Sequence, residues 1–547
     1  MITWDGVRAP AGRATTLASV RGRLYLCSAS AVYAALLVLL RGRPSLKSDA
    51  GVFLSVAGSM LHGDRLYVGV LDNKDPLFYY AHAGALAAFG WTGPFLLDVV
   101  WLAIAAASTL LLLRAVGASW TVAAAGFVVY PLLLTGAWYL SGYSLLAALS
   151  FAPLIGLLWL RGSFVAAGAL LALGVLFKVN LGLVLASVPL AALVLAPRGL
   201  RAQLAKAAGG FAGVAAAGAI ALAVRGELHG YIENFKDNIS YSRNVLSATG
   251  SVTGIPGHIK IAAWAASRPG HVLGVPVGKP LHLVVVVAVF LLAGALAVRT
   301  LRRRPAAAAT PDAATPVAAT RFLAAAFLCA TAMTALTLAL TAAWSPHDQM
   351  LAFPELLLIV FVIAWLVSAK PELAAGVRGI ALLCAVAALG IVLLGGTAAA
   401  PYARAGGVSY WFDSGHSETA EELEQAAVSR FPAARRITYV HLGQNDEEAV
   451  AAFLDSRFAL ACPAIAQYVF TPHLDGVLRC VEGKQPELVL VTQKFRREPH
   501  APAEWDRFVA DGTRLLERDY ERVSTRRTPN GVASVWALAP AHATPRP

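Results

Sequence analysis

Apolar runs of about 16 to 22 residues recur along the first 400 positions, each close to the length that a helix needs to cross a bilayer core. They occupy 24–40, 95–113, 120–137, 143–160, 163–177, 181–196, 208–224, 281–298, 322–343, 350–368 and 379–397. Charged residues make up only 14% of the chain, whereas a soluble domain carries about a quarter. This excludes a disordered chain, a coiled coil and a soluble multidomain enzyme. It predicts a polytopic α-helical membrane protein with about 11 spans.

The net charge of +13 comes from Arg and Lys residues that lie mostly at the ends of the apolar runs. This placement is typical of membrane topology signals, so we expect no nucleic-acid partner. The segment 77–90 decides the topology, because its 14 residues are too few to span and are typical of an interfacial or re-entrant helix. If it does not cross and the N-terminus is cytoplasmic, the later short inner loops carry twelve basic residues, while Arg41, Arg43 and Lys47 lie on the outer side. The later short outer loops then carry only Lys178.

This topology places four segments on one outer face: 41–94, 225–280, 344–349 and the tail 400–547. We therefore expect a multi-pass protein of the cell membrane with a membrane domain over 1–399. The stretch 305–320 is a low-complexity inner segment that predicts a flexible linker.

The tail from about residue 400 has a different composition and predicts a small extracytoplasmic α/β domain. The segments RRITYVHLG and ELVLVTQ are typical of short strands, and the C-terminal segment predicts a hairpin with its turn at Pro529, Asn530 and Gly531. Helical spacing marks 418–429, 446–459 and 505–520.

Two of the five cysteines, Cys462 and Cys480, lie in this tail. A disulfide between them fits an extracytoplasmic domain, and two free thiols remain the alternative. The other three lie in apolar runs, where cysteine is a small packing residue.

The outer segment 41–94 carries the most chemistry. Asp49 follows the first run, and the apolar stretch 50–61 predicts a helix lying along the membrane surface. Asp72 and Lys74 come next in the sequence DNKDP. Carboxylates and a lysine beside a membrane suit a site for a lipid phosphate and an incoming hydroxyl. A solvated loop that contacts lipid headgroups is the alternative.

The order of residues in this loop resembles the C-type glycosyltransferases, in the branch of protein mannosyltransferases and lipid A aminoarabinose transferases. The matching loop positions are Gly63, Tyr67, Asp72, Lys74 and Pro76, and the segment HDQMLAFP at 347–354 resembles a second motif of that branch. Three positions depart from the pattern: Asp75 precedes Pro76 where the branch has a second proline, Asp348 replaces a tyrosine, and WYLSGYS lacks an acidic residue.

The resemblance implies a membrane glycosyltransferase that moves a sugar from a polyprenyl-phosphate donor to an extracytoplasmic acceptor with inversion. It implies Asp49 as the general base and Lys74 as the cation on the donor phosphate, sharing one cavity that opens away from the cytosol. We add Arg243 and His347 as donor-phosphate ligands. The expected substrate contacts are Tyr67, Asp72, Asp98 and Tyr241, of which Asp98 is a carboxylate near the edge of a span.

The sequence points to no particular cofactor, because it has no zinc-ligand spacing, no P-loop and no G-x-S-x-G motif. A divalent cation stays open, as do the sugar and the acceptor. Two other classes of function remain as alternatives: a flippase or transporter for lipid-linked sugars, and a non-catalytic envelope assembly protein. The near absence of charge within the runs favours a site on one face over a path through the membrane.

Overall fold

The computed structural model describes most of the chain, namely residues 20–41, 49–115, 118–135, 142–195, 200–248, 279–302, 311–340, 350–369, 418–443, 457–465, 473–494, 503–528 and 531–540. The chain forms two compact units. The first contains Met1–Arg43, Asp98–Ala217 and Val252–Gly406, and the second contains Pro44–Leu97, Gly218–Ser251 and Gly407–Pro547. The second unit thus joins the tail to two stretches that the topology assigns to outer loops.

The elements before residue 370 are helical apart from one short strand. In chain order they are α1 (Val20–Arg41), α2 (Asp49–Leu61), β1 (Val70–Leu71), α3 (Pro76–Phe89), α4 (Gly93–Ala115), α5 (Trp120–Leu134), α6 (Ser144–Ser150), α7 (Ala152–Leu160), α8 (Phe164–Phe177), α9 (Gly182–Leu195), α10 (Leu200–Val224), α11 (Leu228–Ala248), α12 (Lys279–Arg302), α13 (Pro311–Leu340) and α14 (Ala352–Ala369).

Four of these helices are long and apolar enough to cross a membrane. They contain the segments Arg21–Leu39, Leu96–Ala115, Arg201–Val224 and Thr320–Thr337. Shorter apolar helices occupy several other predicted runs, and the run 143–160 is divided at Phe151 into α6 and α7. The division has a sequence cause, because Pro153 lies in the first turn of α7 and cannot donate a helical hydrogen bond. The predicted run 379–397 lies outside the described residues.

Apolar helices pack against each other in the first unit. Helix α9 packs against α13, and α13 packs against α14. Their contacting faces contribute fully buried side chains such as Val184, Leu185, Leu323, Phe327 and Phe361. These side chains form part of the core of this unit.

Two predictions for the helical part were wrong. Helix α2 does not lie along a surface, because residues 52–60 are all buried, including Phe53 and Met60. Its sequence is apolar or small on every side, which suits enclosure by protein better than a two-faced position. The linker prediction also fails over 311–320, because α13 begins at Pro311; alanine favours a helix, and proline is tolerated in its first turn.

The tail contains a five-stranded mixed sheet. Its elements are α15 (Glu418–Arg430), β2 (Ile437–Gly443), β3 (Phe458–Leu460), β4 (Ala464–Ile465), α16 (Leu474–Lys484), β5 (Leu488–Lys494), α17 (Ala503–Asp519), β6 (Tyr520–Arg527) and β7 (Gly531–Leu538). The strand order is β3-β2-β5-β7-β6. The first three strands are parallel, and β7 runs antiparallel to both β5 and β6.

Side chains alternate between the two faces of this sheet, as the period of two in its strands requires. On one face, Val440 and Val489 pack with residues of α16 and α17, and on the other, Tyr439 and Leu490 pack with Leu423 of α15. The sheet is therefore covered by helices on both faces. The predicted helix 446–459 was wrong at its end, because Phe458 begins β3; residues 444–456 lie outside the described part.

Candidate functional site

The loop between α2 and α3 folds back on itself through Tyr67. Tyr67 has a φ of 63°, a left-handed conformation that is uncommon for a residue with a side chain. Its N–H donates to the carbonyl of Val70 at 2.8 Å, and its hydroxyl donates to the carbonyl of Lys74 at 2.7 Å. Burial raises the pKa of this hydroxyl well above its usual value, with a further contribution from the charge of Asp75, so the group stays a donor. Tyr67 thereby fixes the backbone at Lys74.

The four residues Asp72 to Asp75 form a buried polar turn. Asp72 is fully buried and accepts a hydrogen bond from the N–H of Asn73. The Lys74 ammonium is 6% exposed and donates to Oδ1 of Asn73 at 2.7 Å. Asp75 accepts from the hydroxyl of Tyr231 at 3.0 Å. Burying a lysine costs free energy unless its hydrogen-bond partners are held in place. Here Tyr67 bonds the backbone of Lys74, and Tyr231 bonds the side chain of the next residue, Asp75.

Lys74 also lies against the start of helix α2. Its ammonium nitrogen is 5.3 Å from the centroid of the Phe53 ring, and Phe53 comes four residues after Asp49, the first residue of the helix. Positions four apart share one face of a helix, about 6 Å along its axis. The Lys74 ammonium therefore lies beside a side chain that is one helical turn after Asp49. The side chain of Asp49 lies outside the described part.

Glu227 also holds this loop in place, although it was not among the site residues that the sequence predicted. This carboxylate is fully buried. Its Oε1 accepts from the N–H of Leu66 at 3.1 Å and from Nε of Arg225 at 3.0 Å, while its Oε2 accepts from the hydroxyl of Tyr80. Three donors from three places thus converge on one carboxylate. An acidic residue directly after an apolar run was the available signal.

One face of α11 continues this support. Gly230 lies so close to the loop that a Cβ atom there would come within 2.4 Å of the Tyr67 carbonyl oxygen. One residue later, Tyr231 bonds Asp75, and two turns further Nδ2 of Asn238 donates to the carbonyl of Asn73 at 3.4 Å. Residues 227, 230, 231 and 238 share a face at helical spacing. The loop that carries Lys74 is therefore attached along α11.

The same loop is joined to the tail by a two-stranded parallel pair. Strand β1 pairs with β4, with Val70 opposite Ala464 and Leu71 opposite Ile465. Leu71 is 6% exposed and packs in the core that α16 and α17 form on the sheet. Since Asp72 follows Leu71 directly, the polar turn begins where this pairing ends.

A second contact with the tail involves Asp64. Burial raises the pKa of the Asp64 carboxyl to about 6, while the charge of Arg436 in the tail acts in the opposite direction. Tyr439 of β2 makes a hydrogen bond with Ser59 of α2. At the N-cap of α16, the His473 ring is 3.0 Å from Oδ2 of Asp237 of α11. The tail thus contacts α2, the loop that follows it and α11.

The structure places the other predicted site residues as follows. Asp98 is 1% exposed, and its two carboxylate oxygens accept from the N–H of Gly142 at 3.1 and 3.0 Å. This contact holds the backbone that leads into α6, and a role for Asp98 in substrate binding stays a prediction. Tyr241 and Arg243 lie in α11, but their side chains are outside the described part, as is all of His347.

Cys462 and Cys480 are bonded in the structure, with their Cα atoms 5.8 Å apart. Cys462 precedes β4 by two residues, and Cys480 lies in α16. The bond therefore joins the helix to the segment that pairs with β1. Its formation in the protein remains a prediction that a mass measurement tests.

Within the described ranges, no three His, Cys, Asp or Glu side chains are grouped so as to hold a metal ion. The carboxylates Asp72 and Asp75 instead lie beside Lys74 and Tyr231, which supply hydrogen-bond donors.

Neither a family model nor a curated protein matches the chain. Solved structures with a similar fold include ArnT from Cupriavidus metallidurans bound to undecaprenyl phosphate, at 15% identity and a TM-score of 0.49, covering 96% of this chain and 100% of that one. The Archaeoglobus fulgidus oligosaccharyltransferase AglB in complex with an inhibitory peptide and a dolichol-phosphate is similar at 13% identity and a TM-score of 0.43, covering 96% and 75%. Both are glycosyltransferases of the C-type fold.

Proposed function

We propose that this protein is a membrane glycosyltransferase that moves a sugar from a polyprenyl-phosphate donor to an acceptor of the cell envelope. The single observation that supports this most is the position of Lys74. Its ammonium is held in a buried polar turn and lies 5.3 Å from the ring of Phe53, one turn after Asp49 in the same helix. We propose that the Asp49 carboxylate and the Lys74 ammonium face the two ends of a displacement at a sugar carbon.

In the proposed reaction, Asp49 takes the proton from the acceptor hydroxyl. The oxygen then attacks the anomeric carbon from the side opposite the phosphate, so the new C–O bond forms as the bond to the phosphate oxygen breaks, with inversion. The leaving polyprenyl phosphate gains negative charge, which Lys74 stabilises as a compact point charge. Arg243 and His347 are proposed to bind the same phosphate, and Asp98 and Tyr241 to bind the sugar or acceptor.

Tyr67 and Asp72 contribute differently from what the resemblance implies. Their described hydrogen bonds go to Lys74 and Asn73, within the loop itself. We propose that they shape the loop, which keeps the Lys74 ammonium fixed before the donor arrives. A group held in place in advance needs little reorganisation when charge develops on the phosphate.

The proposal places the polar turn and the tail outside the cytoplasm, with the N-terminus inside. Nucleotide sugars are not expected on that side, so a sugar carried by its own lipid is the suitable donor. Such a lipid is dissolved in the membrane that the candidate spans cross.

The test is turnover by the purified full-length protein in liposomes, with a panel of radiolabelled polyprenyl-phosphate sugars and a cell-envelope extract as acceptor. We expect one donor to lose its label to the extract, about 10²- to 10⁴-fold more slowly in Asp49→Asn. Asp511→Asn, a change in the tail on α17, is the matched control and should keep full activity. Movement of an intact donor between leaflets would instead identify a flippase, and turnover and binding of no donor would contradict the proposal.

A further inference from the structure

Helix α11 begins where a candidate span ends. The span Arg201–Val224 lies in α10, and only three residues separate the end of α10 from Leu228. Gly226, at a φ of 70°, ends α10 with its N–H on the carbonyl of Ala223, and the N–H of Glu227 reaches the carbonyl of Leu222 at 2.7 Å. These two bonds form a Schellman motif, which stops a helix within one turn. The first turn of α11 therefore follows directly on the end of the candidate span.

An apolar stripe runs along the exposed side of α11. Ile232 is 45% exposed, Phe235 40% and Ile239 41%, and their spacing of three and four residues puts them on one face. The polar Asn234 on the same helix is only 3% exposed. The helix thus exposes three apolar side chains on one face and the charged Glu233 and Lys236 on others, the pattern of an amphipathic helix at an interface.

The end of the span shows the same exposed apolar character. Ile220 and Val224 of α10 are 63% and 83% exposed, and few residues of that candidate span are buried. Apolar side chains on the outer side of a span face acyl chains. The stripe on α11 has the same exposed apolar character and follows in the sequence after the turn at Gly226.

The stripe lies beside the face of α11 that holds the loop. Tyr231, which precedes Ile232, bonds Asp75, and Asn238, which precedes Ile239, bonds the carbonyl of Asn73. Successive residues of a helix are about 100° apart, so the loop and the stripe occupy neighbouring sectors. A contact that fixes the position of the stripe relative to the membrane therefore also fixes the distance of the loop from the membrane.

We propose that Ile232, Phe235 and Ile239 lie in the interfacial layer of the outer leaflet, in contact with lipid. An amphipathic helix in this position buries its apolar face about 5–10 Å into the boundary between headgroups and acyl chains. The lipid surface then sets the height of Lys74, which brings its ammonium to the level of lipid phosphate groups. The contact with lipid does not depend on the proposed reaction.

The test is photo-crosslinking in liposomes of phosphatidylethanolamine and phosphatidylglycerol. We replace Phe235 by p-benzoylphenylalanine in the full-length protein, and Glu233, 41% exposed on another side of α11, by the same residue as the matched control. After irradiation, mass spectrometry is expected to show lipid adducts at least about tenfold more abundant at position 235 than at 233.

Three results would overturn the proposal: an adduct with a second copy of the chain, an adduct with another segment of the same chain, or equal lipid adducts at both positions. The same substitution at Ile232 provides a second variant if the Phe235 variant does not fold. The adduct is expected to be unchanged in an Asp49→Asn background. Loss of transfer and loss of lipid contact are therefore distinguishable.

Discussion

The hydroxyl of Tyr231 donates a hydrogen bond of 3.0 Å to Oδ1 of Asp75, which joins α11 to the residue that follows Lys74. The two residues are 156 positions apart in the sequence, so this contact exists only in the folded unit. Burial raises the pKa of the Tyr231 hydroxyl, with the charge of Asp75 as a second cause, so the hydroxyl remains the donor.

Replacing Tyr231 by phenylalanine is expected to lower the free energy of unfolding by about 1–3 kcal/mol, because the buried Asp75 carboxylate loses a donor. Transfer should also slow, since the neighbouring Lys74 is less firmly placed. Thermal unfolding and turnover of the same preparation measure both effects. Tyr25, which is 75% exposed on α1, is the matched control, and its replacement by phenylalanine should change neither quantity. An unchanged Tyr231→Phe protein would contradict the positioning role.

Gly230→Ala tests the close approach of α11 to the loop. The new methyl group would meet the Tyr67 carbonyl oxygen at 2.4 Å, which is a backbone atom that cannot move aside cheaply. We expect a loss of about 1–3 kcal/mol in the free energy of unfolding and a weaker affinity for donor. The control is Gly84→Ala in α3, where a Cβ atom has no neighbour within 4 Å. That variant should be as stable as the parent or gain up to about 1 kcal/mol. Equal stability of the two variants would show that α11 does not press on the loop.

Asp64 provides a pH-dependent prediction. Burial raises the pKa of its carboxyl in the folded protein to about 6, above its ordinary value of 3.8. The folded state therefore binds more protons than the unfolded state between these values, and this group costs stability as the pH rises through that window. Asp64→Asn removes the cost. We expect the variant to unfold about 2–4 °C above the parent at pH 7.5, with the difference smaller at pH 4.5.

The contrary result would be a variant that is less stable at pH 7.5 than the parent, which would mean that the attraction between Asp64 and Arg436 outweighs the burial of the carboxylate. Asp511→Asn is the matched control, since Asp511 lies in the tail on α17, and this variant is expected to unfold at the same temperature as the parent at pH 7.5.

The bond between Cys462 and Cys480 predicts a stability difference on reduction. The two residues are 18 positions apart, and closing a loop of this size stabilises a domain by about 3 kcal/mol in the chain-entropy model. The double variant with both cysteines replaced by alanine should lower the unfolding temperature of the tail. It should also loosen the β1–β4 pair. Intact mass before and after alkylation establishes whether the bond forms. Two alkylated thiols in protein isolated without reductant would contradict the prediction.

The apolar runs predicted most of the helical elements, because the hydrophobic requirement of a bilayer is local and can be counted along the sequence. The strands β2 and β5 and the β6–β7 hairpin lie where alternation and the Asn530-Gly531 turn predicted strands. In each case the signal is a short-range pattern.

What could not be predicted depends on contacts distant in sequence. Helix α2 is apolar on all sides, and only the packing around it shows that it is buried and not at a membrane surface. Glu227 appears in the sequence as one acid after a run, while its importance comes from Leu66 and Tyr80, more than 140 residues earlier. The two-residue strands β1 and β4 have too little sequence pattern to predict their pairing.

The central claim is that Asp49 and Lys74 act in one site on a lipid-linked sugar phosphate. The most direct test compares the affinity for undecaprenyl phosphate and the rate of transfer in Asp49→Asn and Lys74→Gln, with Lys236→Gln as the control at an exposed lysine. We predict that Lys74→Gln weakens binding about tenfold or more, and that Asp49→Asn leaves binding nearly unchanged while slowing transfer about 10²- to 10⁴-fold. Unchanged binding and unchanged transfer in both variants would contradict the account.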